Sequence, residues 1–103
     1  MIKVSILYPA GDGAQFDMEY YCRNHMPMVA RVLGAVCKGF TVDRGLGGEA
    51  PGSPPTYVAM GHLLCDSVEA FQAAVTPHID AIMADIKNYT NVKPVIQISE
   101  ITI

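Results

Sequence analysis

Charge is scarce in this sequence. Only 17% of its 103 residues are Asp, Glu, Lys or Arg, against about 25% in an ordinary globular domain, and the 7 Lys and Arg are outnumbered by 10 Asp and Glu. Without a basic excess there is little to displace counterions from a phosphate backbone, which argues against a nucleic-acid partner. Tryptophan is absent. The three cysteines, Cys22, Cys37 and Cys65, are odd in number and lack the paired spacing of a disulfide framework or a zinc site; they read as small buried hydrophobes. Long apolar runs are missing as well. The longest, Tyr57–Cys65, falls far short of the roughly 20 residues needed to span a bilayer. Ahead of Pro9 and Gly11 there is too little apolar chain for a signal peptide. The expected setting is cytoplasmic, with no membrane. No GxGxxG follows the first strand, and there is no phosphate loop, nucleophile elbow or paired-carboxylate signature, so no cofactor is implied.

What the sequence has in quantity is apolar surface, at 50% of residues. A domain of this length without disulfides has one outlet for such a surplus, burial against a second copy, so a homodimer is expected. Alternation of β-branched and polar residues over 2–8 predicts a strand that Pro9 and the turn at 11–13 stop. From Asp17 the period changes. Tyr21, His25, Met28/Val29 and Val32 recur at steps of three and four, predicting a helix with Asp17 as N-cap, Phe16 stapled onto Tyr21, and Gly34 as its close. Pro27 inside this pattern removes a hydrogen bond to the Arg23 carbonyl and predicts a kink or break around His25–Met26.

Residues 36–45 and Tyr57–Cys65 read as strands joined by a Gly- and Pro-rich connector, the latter strand being apolar on both faces and therefore central. Asp66, with Glu69 three residues on, predicts the cap of a second helix that buries Phe71, Ala74 and Val75. Thr76-Pro77 interrupts it, and the restart carries Ile79, Ile82 and Met83 inward. A loop at 86–91 and a strand over 92–103 complete the chain. Strand, helix, strand, strand, helix, strand is the split βαβ, ferredoxin-like order: an α+β fold with a four-stranded antiparallel sheet carrying both helices on one face. Its other face is left for a second sheet.

Among residues able to carry chemistry, His25 leads, on the apolar stripe beside the Pro27 defect. Two readings stand at this point: a proton donor or acceptor in a pocket, or a core histidine bonding a carbonyl freed by Pro27. His62 sits mid-strand, either facing the pocket or serving as a cross-strand partner. His78, beside Pro77, reads as exposed. No pair of these histidines has metal-ligand spacing, so no metal is expected. Tyr8, Tyr21 and Tyr89 are placed to meet His25 at one end of the sheet, lining a pocket with phenols around an apolar interior or simply filling the core. The methionines, Met28 among them, suit an adaptable cavity or plain packing.

Several segments taken together resemble the EthD family: Tyr20-Tyr21-x-x-x-His25-Met26-Pro27, Asp66-Ser67-x-Glu69-Ala70-Phe71, Pro77-His78, Ala84-Asp85-Ile86-x-Asn88-Tyr89-Thr90-Asn91 and Pro94-Val95-Ile96-Gln97-Ile98-Ser99. The resemblance spans the chain, with Lys87 standing where relatives often have proline. It implies a ferredoxin-like subunit that dimerises into an α+β barrel, linked to oxidative breakdown of small organic compounds. The family's His-x-Pro element maps onto His25 and Pro27. The site then reads as a pocket for a small, mostly apolar ligand between sheet and first helix. His25 transfers a proton, Tyr21 and Tyr89 orient the ligand, and Asp85 and Asn88 hold the closing loop. The other reading is a non-catalytic carrier or accessory protein serving a partner oxygenase.

Overall fold

Alternating β-branched residues extend the chain into β1 (Ile2–Pro9), and the computed structural model describes all 103 residues from there to the end. Two further strands, β2 (Cys37–Arg44) and β3 (Tyr57–Cys65), and a last one, β4 (Val95–Glu100), complete one sheet in the order β2-β3-β1-β4. Every neighbouring pair is antiparallel. Helix α1 occupies residues 18–33 between β1 and β2, and α2 occupies residues 68–85 between β3 and β4. This is the expected ferredoxin-like α+β order, with β3 and β1 central. The last strand is shorter than expected, because Pro94 lacks an N–H to donate to a ladder.

The Asp17 carboxylate caps α1 by accepting from the Tyr20 N–H at 3.0 Å, and the Phe16 ring packs on Tyr21. Pro27 does not break the helix. Instead residues Tyr21–His25 form one wide π turn, in which the Met26 N–H donates to the Tyr21 carbonyl five residues back, and His25 and Met26 keep right-handed helical angles. The missing proline N–H is absorbed by a local change of pitch. The extra residue in that turn brings Tyr21, His25, Met26, Val29 and Leu33 all onto the sheet side, where each is buried. Gly34 ends the helix at positive φ, its N–H reaching the Ala30 carbonyl.

Helix α2 begins one residue later than the sequence pattern suggests. Ser67, not Asp66, is the N-cap, its hydroxyl accepting from the Ala70 N–H, while Asp66 pairs with Lys38 at 3.7 Å. Thr76–His78 form a tight 3₁₀ turn at Pro77 before the helix resumes over Ile79–Asp85. Of the residues expected inward from that resumption, Ile82 is buried, but Ile79 and Met83 are 41% and 49% exposed. The two helices cover β1 and β3 and stop short of β4, so Ile96 and Ile98, on the helix side of that edge strand, also stay exposed. Cysteine burial is likewise partial. Cys65 is buried in β3, Cys37 half-buried, and Cys22 exposed, because it lies on the outer side of the π turn between Tyr21 and Arg23.

The face of the sheet away from the helices is not uniformly apolar. In register across it runs a polar row, Thr41, His62, Ser5 and Gln97, flanked by the apolar row of Met60, Leu7 and Val95.

Candidate functional site

The π turn and the end of α2 converge on one pair of side chains. His25, 4% exposed, places Nδ1 2.9 Å from Oδ2 of Asp85, sixty residues away in sequence. The other carboxylate oxygen, Oδ1, accepts from the Tyr20 hydroxyl at 2.7 Å and from the Asn88 amide at 2.9 Å. Burial by itself would raise the Asp85 pKa, but the three hydrogen bonds from Tyr20, Asn88 and His25 outweigh it and hold the carboxyl below its ordinary value. Asp85 is therefore ionised at neutral pH, and an ionised carboxylate only accepts. Nδ1 must then carry a proton, which turns the second ring nitrogen, Nε2, into the free one. Nε2 makes no hydrogen bond within the chain, and the ring lines a cavity.

That cavity, of about 160 Å³, lies between the helices and the sheet and is lined by 17 residues, 15 of them hydrophobic. Val4, Ile6 and Leu63 form its floor, Met26 and Val29 one wall, and Phe71, Ile82 and Ile86 another. At its polar end the His25 ring stacks on Tyr21, with centroids 5.6 Å apart and planes 14° off parallel, while Tyr89 leans on it from 4.6 Å. Tyr8 meets Phe16, Tyr21 and Tyr89 edge to face. The Tyr8 and Tyr89 hydroxyls bond each other at 2.6 Å. The Tyr21 hydroxyl is buried without a partner, pressed onto the backbone at Gly61, where a β-carbon would collide with it. Burial pushes all three phenols up in pKa. They stay protonated and cannot act as bases, which leaves the imidazole as the cavity group able to take a proton.

The segment after α2 is fastened to the start of α1. Phe16 and Thr90 form an isolated bridge, the Asp17 N–H donates to the Tyr89 carbonyl at 2.7 Å, and the Asn91 side chain joins Gln15 to Gly13. This holds Tyr89 and Asp85 against His25.

Of the residues singled out from sequence, Tyr8, Tyr21, His25 and Tyr89 meet around the cavity, and Asp85 with Asn88 stands directly behind the histidine. Two do not join them. His62 points away from the helices: its partners in register, Ser5 and Thr41, lie on the open face, where Nδ1 is 2.9 Å from the Ser5 hydroxyl and Nε2 is 3.4 Å from Asp43. Met28 packs at the edge of the core, and Met26 takes the cavity position, because the extra residue in the π turn rotates the following turn. Tyr20 and Gly61 were not among the expected site residues. Tyr20 was visible only as half of a Tyr-Tyr pair, and Gly61 as a glycine inside a strand, which often marks close approach of another group. His78 is exposed. No group of three or more His, Cys, Asp or Glu side chains converges to hold a metal ion, and no helix is long and apolar enough to cross a membrane.

The EthD domain profile matches residues 12–93. Among solved structures, an EthD-like protein from Ralstonia eutropha is 51% identical and superposes with a TM-score of 0.95, covering 99% of this chain and 92% of its own. An EthD family protein from Bacillus halodurans, 20% identical, superposes with a TM-score of 0.73 over 99% of both chains, and an Arabidopsis thaliana protein, At3g17210, 17% identical, with 0.69 over 100% of this chain and 97% of its own. These two share the fold. No curated protein matches the chain.

Proposed function

The chain belongs to the EthD family, and on that premise we propose that it binds and transforms a small apolar organic molecule in the cavity between helices and sheet, with His25 as proton acceptor and donor. The reading places it in the cytoplasm, among proteins of oxidative degradation of small organic compounds. One observation carries it: a buried imidazole with Nδ1 anchored on an ionised carboxylate, Nε2 without a partner in the chain, and the ring lining an apolar cavity. Asp85 fixes the tautomer and stabilises the imidazolium once Nε2 has taken a proton, which is the arrangement general base catalysis requires. Tyr21 holds the ring in place by stacking, and Tyr89 packs against it at a tilt.

A carrier for a partner oxygenase would use the same cavity but not the carboxylate behind the histidine. The two readings separate in one experiment. With a compound found by thermal-shift screening, His25→Ala should lower turnover by about 10²–10⁴-fold while binding falls only a few-fold. No turnover in the wild type with binding intact favours the carrier, and unchanged turnover in the variant removes His25 from the chemistry.

A homodimer formed through the open sheet face belongs to the same proposal. The exposed Val95, with Leu7 and Met60 beside it, offers the apolar contact, and the polar row of His62 and Ser5 would lie within it. Sedimentation of a stable monomer would refute this part.

A further inference from the structure

We propose that the ligand of this cavity is a neutral molecule the size of one six-membered ring carrying a single hydroxyl, that is, a simple phenol, whose O–H meets Nε2 of His25. This rests on the binding site described above and names what it accepts.

Size sets the first limit. The volume of about 160 Å³ is close to that of an engineered apolar cavity of roughly 150 Å³ that stays dry and binds benzene. That volume matches one ring. Charge sets the second. No Lys or Arg lines the cavity, and the one cation that can form there, protonated His25, is already matched by Asp85 at 2.9 Å. A carboxylate ligand would place two anions on one imidazolium inside an apolar wall, and burial of the uncompensated charge opposes it.

Hydrogen bonding sets the third. The Tyr8 and Tyr89 hydroxyls bond each other, and the one proton that this pair leaves over lies beside the Tyr21 oxygen. The Tyr21 hydroxyl is sealed against Gly61, and the Asp85 oxygens are taken by Tyr20, Asn88 and His25. What remains is Nε2, which in the neutral ring, with the proton on Nδ1, is an acceptor, so its complement there is a donor. A single donor is matched; a second hydroxyl on the ring would enter the cavity unpaired, at a cost. The way in is equally apolar, since the exposed Ile79, Met83 and Ile96 rim the opening between α2 and β4.

The test is calorimetric titration of the whole protein at neutral pH with phenol, toluene and benzoate, together with NMR contacts from each bound ring to the methyls of Val29 and Ile82. Phenol should bind at least as tightly as toluene, although its hydroxyl costs more to take from water, and benzoate should bind about tenfold more weakly or not at all. In His25→Phe, phenol should weaken by about tenfold and toluene by less than about twofold. If toluene outranks phenol, if benzoate matches it, or if both neutral rings weaken together in the variant, the phenol assignment is overturned, while methyl contacts would still uphold the cavity. If no ring contacts Val29 or Ile82, the site itself is wrong and both readings fall. Should His25→Phe fail to fold by circular dichroism, the wild-type ranking decides alone.

Discussion

Replacing Asp85 by alanine removes three hydrogen bonds at once, yet only one of them leaves a buried group bare. Asn88 is exposed and Tyr20 half-exposed, so water takes the place of the carboxylate for both. His25 is buried, and its Nδ1 loses its single partner. An unsatisfied buried donor costs about 1–3 kcal/mol, so Asp85→Ala should destabilise by about 2 kcal/mol. For a domain of this size, roughly 4–8 °C per kcal/mol then gives a fall in Tm of roughly 8–16 °C.

The single variant cannot separate the His25 contact from other effects of truncation, but a cycle with His25→Ala can. His25→Ala also opens a space beside Tyr21 and Tyr89 and removes the ring that Tyr21 stacks on. Once it is gone, losing Asp85 strands no buried donor. The double variant should therefore be more stable than the sum of the singles predicts, with a coupling energy of about 1.5–3 kcal/mol, the range for a hydrogen bond to a charged group. Urea unfolding followed by far-UV circular dichroism, at one protein concentration so that any association contributes equally, measures all four corners. A coupling below about 0.5 kcal/mol, the level of ordinary additivity, would show that the two side chains do not share the proton-holding contact on which the proposed chemistry depends.

The same geometry sets expectations at other positions. Tyr21→Phe deletes a buried hydroxyl that has no partner, so it should leave stability unchanged or raise it by up to about 1 kcal/mol; a loss would mean that the hydroxyl is satisfied in solution. Gly61→Ala drives a β-carbon into that hydroxyl and close to the Met26 methyl; it should cost about 1–3 kcal/mol in thermal unfolding, and less in the Tyr21→Phe background. Ser67→Ala should cost about 1 kcal/mol as the lost cap of α2, whereas Asp66→Ala, whose partner Lys38 is a solvent-exposed ion pair at 3.7 Å, should change stability by less than about 0.5 kcal/mol. The Asp85 carboxyl is held below its ordinary value in the folded state, so the stability it supplies is present above the unfolded pKa of about 3.9 and disappears as pH falls through the folded value. The difference in stability between wild type and Asp85→Asn should thus shrink as pH falls below about 4; a difference that stayed unchanged through that acid range would contradict the assignment.

Much of the fold could be read from the chain because its signals are local. The alternation of Ile2, Val4 and Ile6, the cap at Asp17 and the proline at 77 act on neighbours a few residues away, and the order of elements then leaves one familiar topology. What could not be read is governed by phase or by distance. A strand apolar on both faces gives no phase, so the side on which His62 stands was settled only by its register with Ser5 and Thr41. The position of the Pro27 defect was legible, but its form was not. Periodicity assumes one pitch along a helix, and a π turn changes the pitch, which is why Met26 rather than Met28 reaches the cavity. Asp85 was expected to hold a loop; that it holds the histidine depends on a contact across sixty residues which no spacing encodes.

The same π turn explains why the site sits where it does. A regular helix through this stretch would use the Met26 N–H to satisfy the Cys22 carbonyl four residues back, and steps of four along its face would drift progressively away from the sheet. With the wide turn, Met26, five residues after Tyr21, joins Tyr21 and His25 on the buried face, and the His25 backbone stays helical. Gly61 supplies the room that this positioning needs, since Tyr21 can lie flat against β3 only where the strand has no side chain. The packing around the histidine therefore draws on two residues outside the cavity lining: Pro27, beside the turn that adds Met26 to the buried face, and Gly61, which admits Tyr21. Their cost in helix hydrogen bonding and in strand packing is the physical signature of a structure shaped around the imidazole rather than around its own stability.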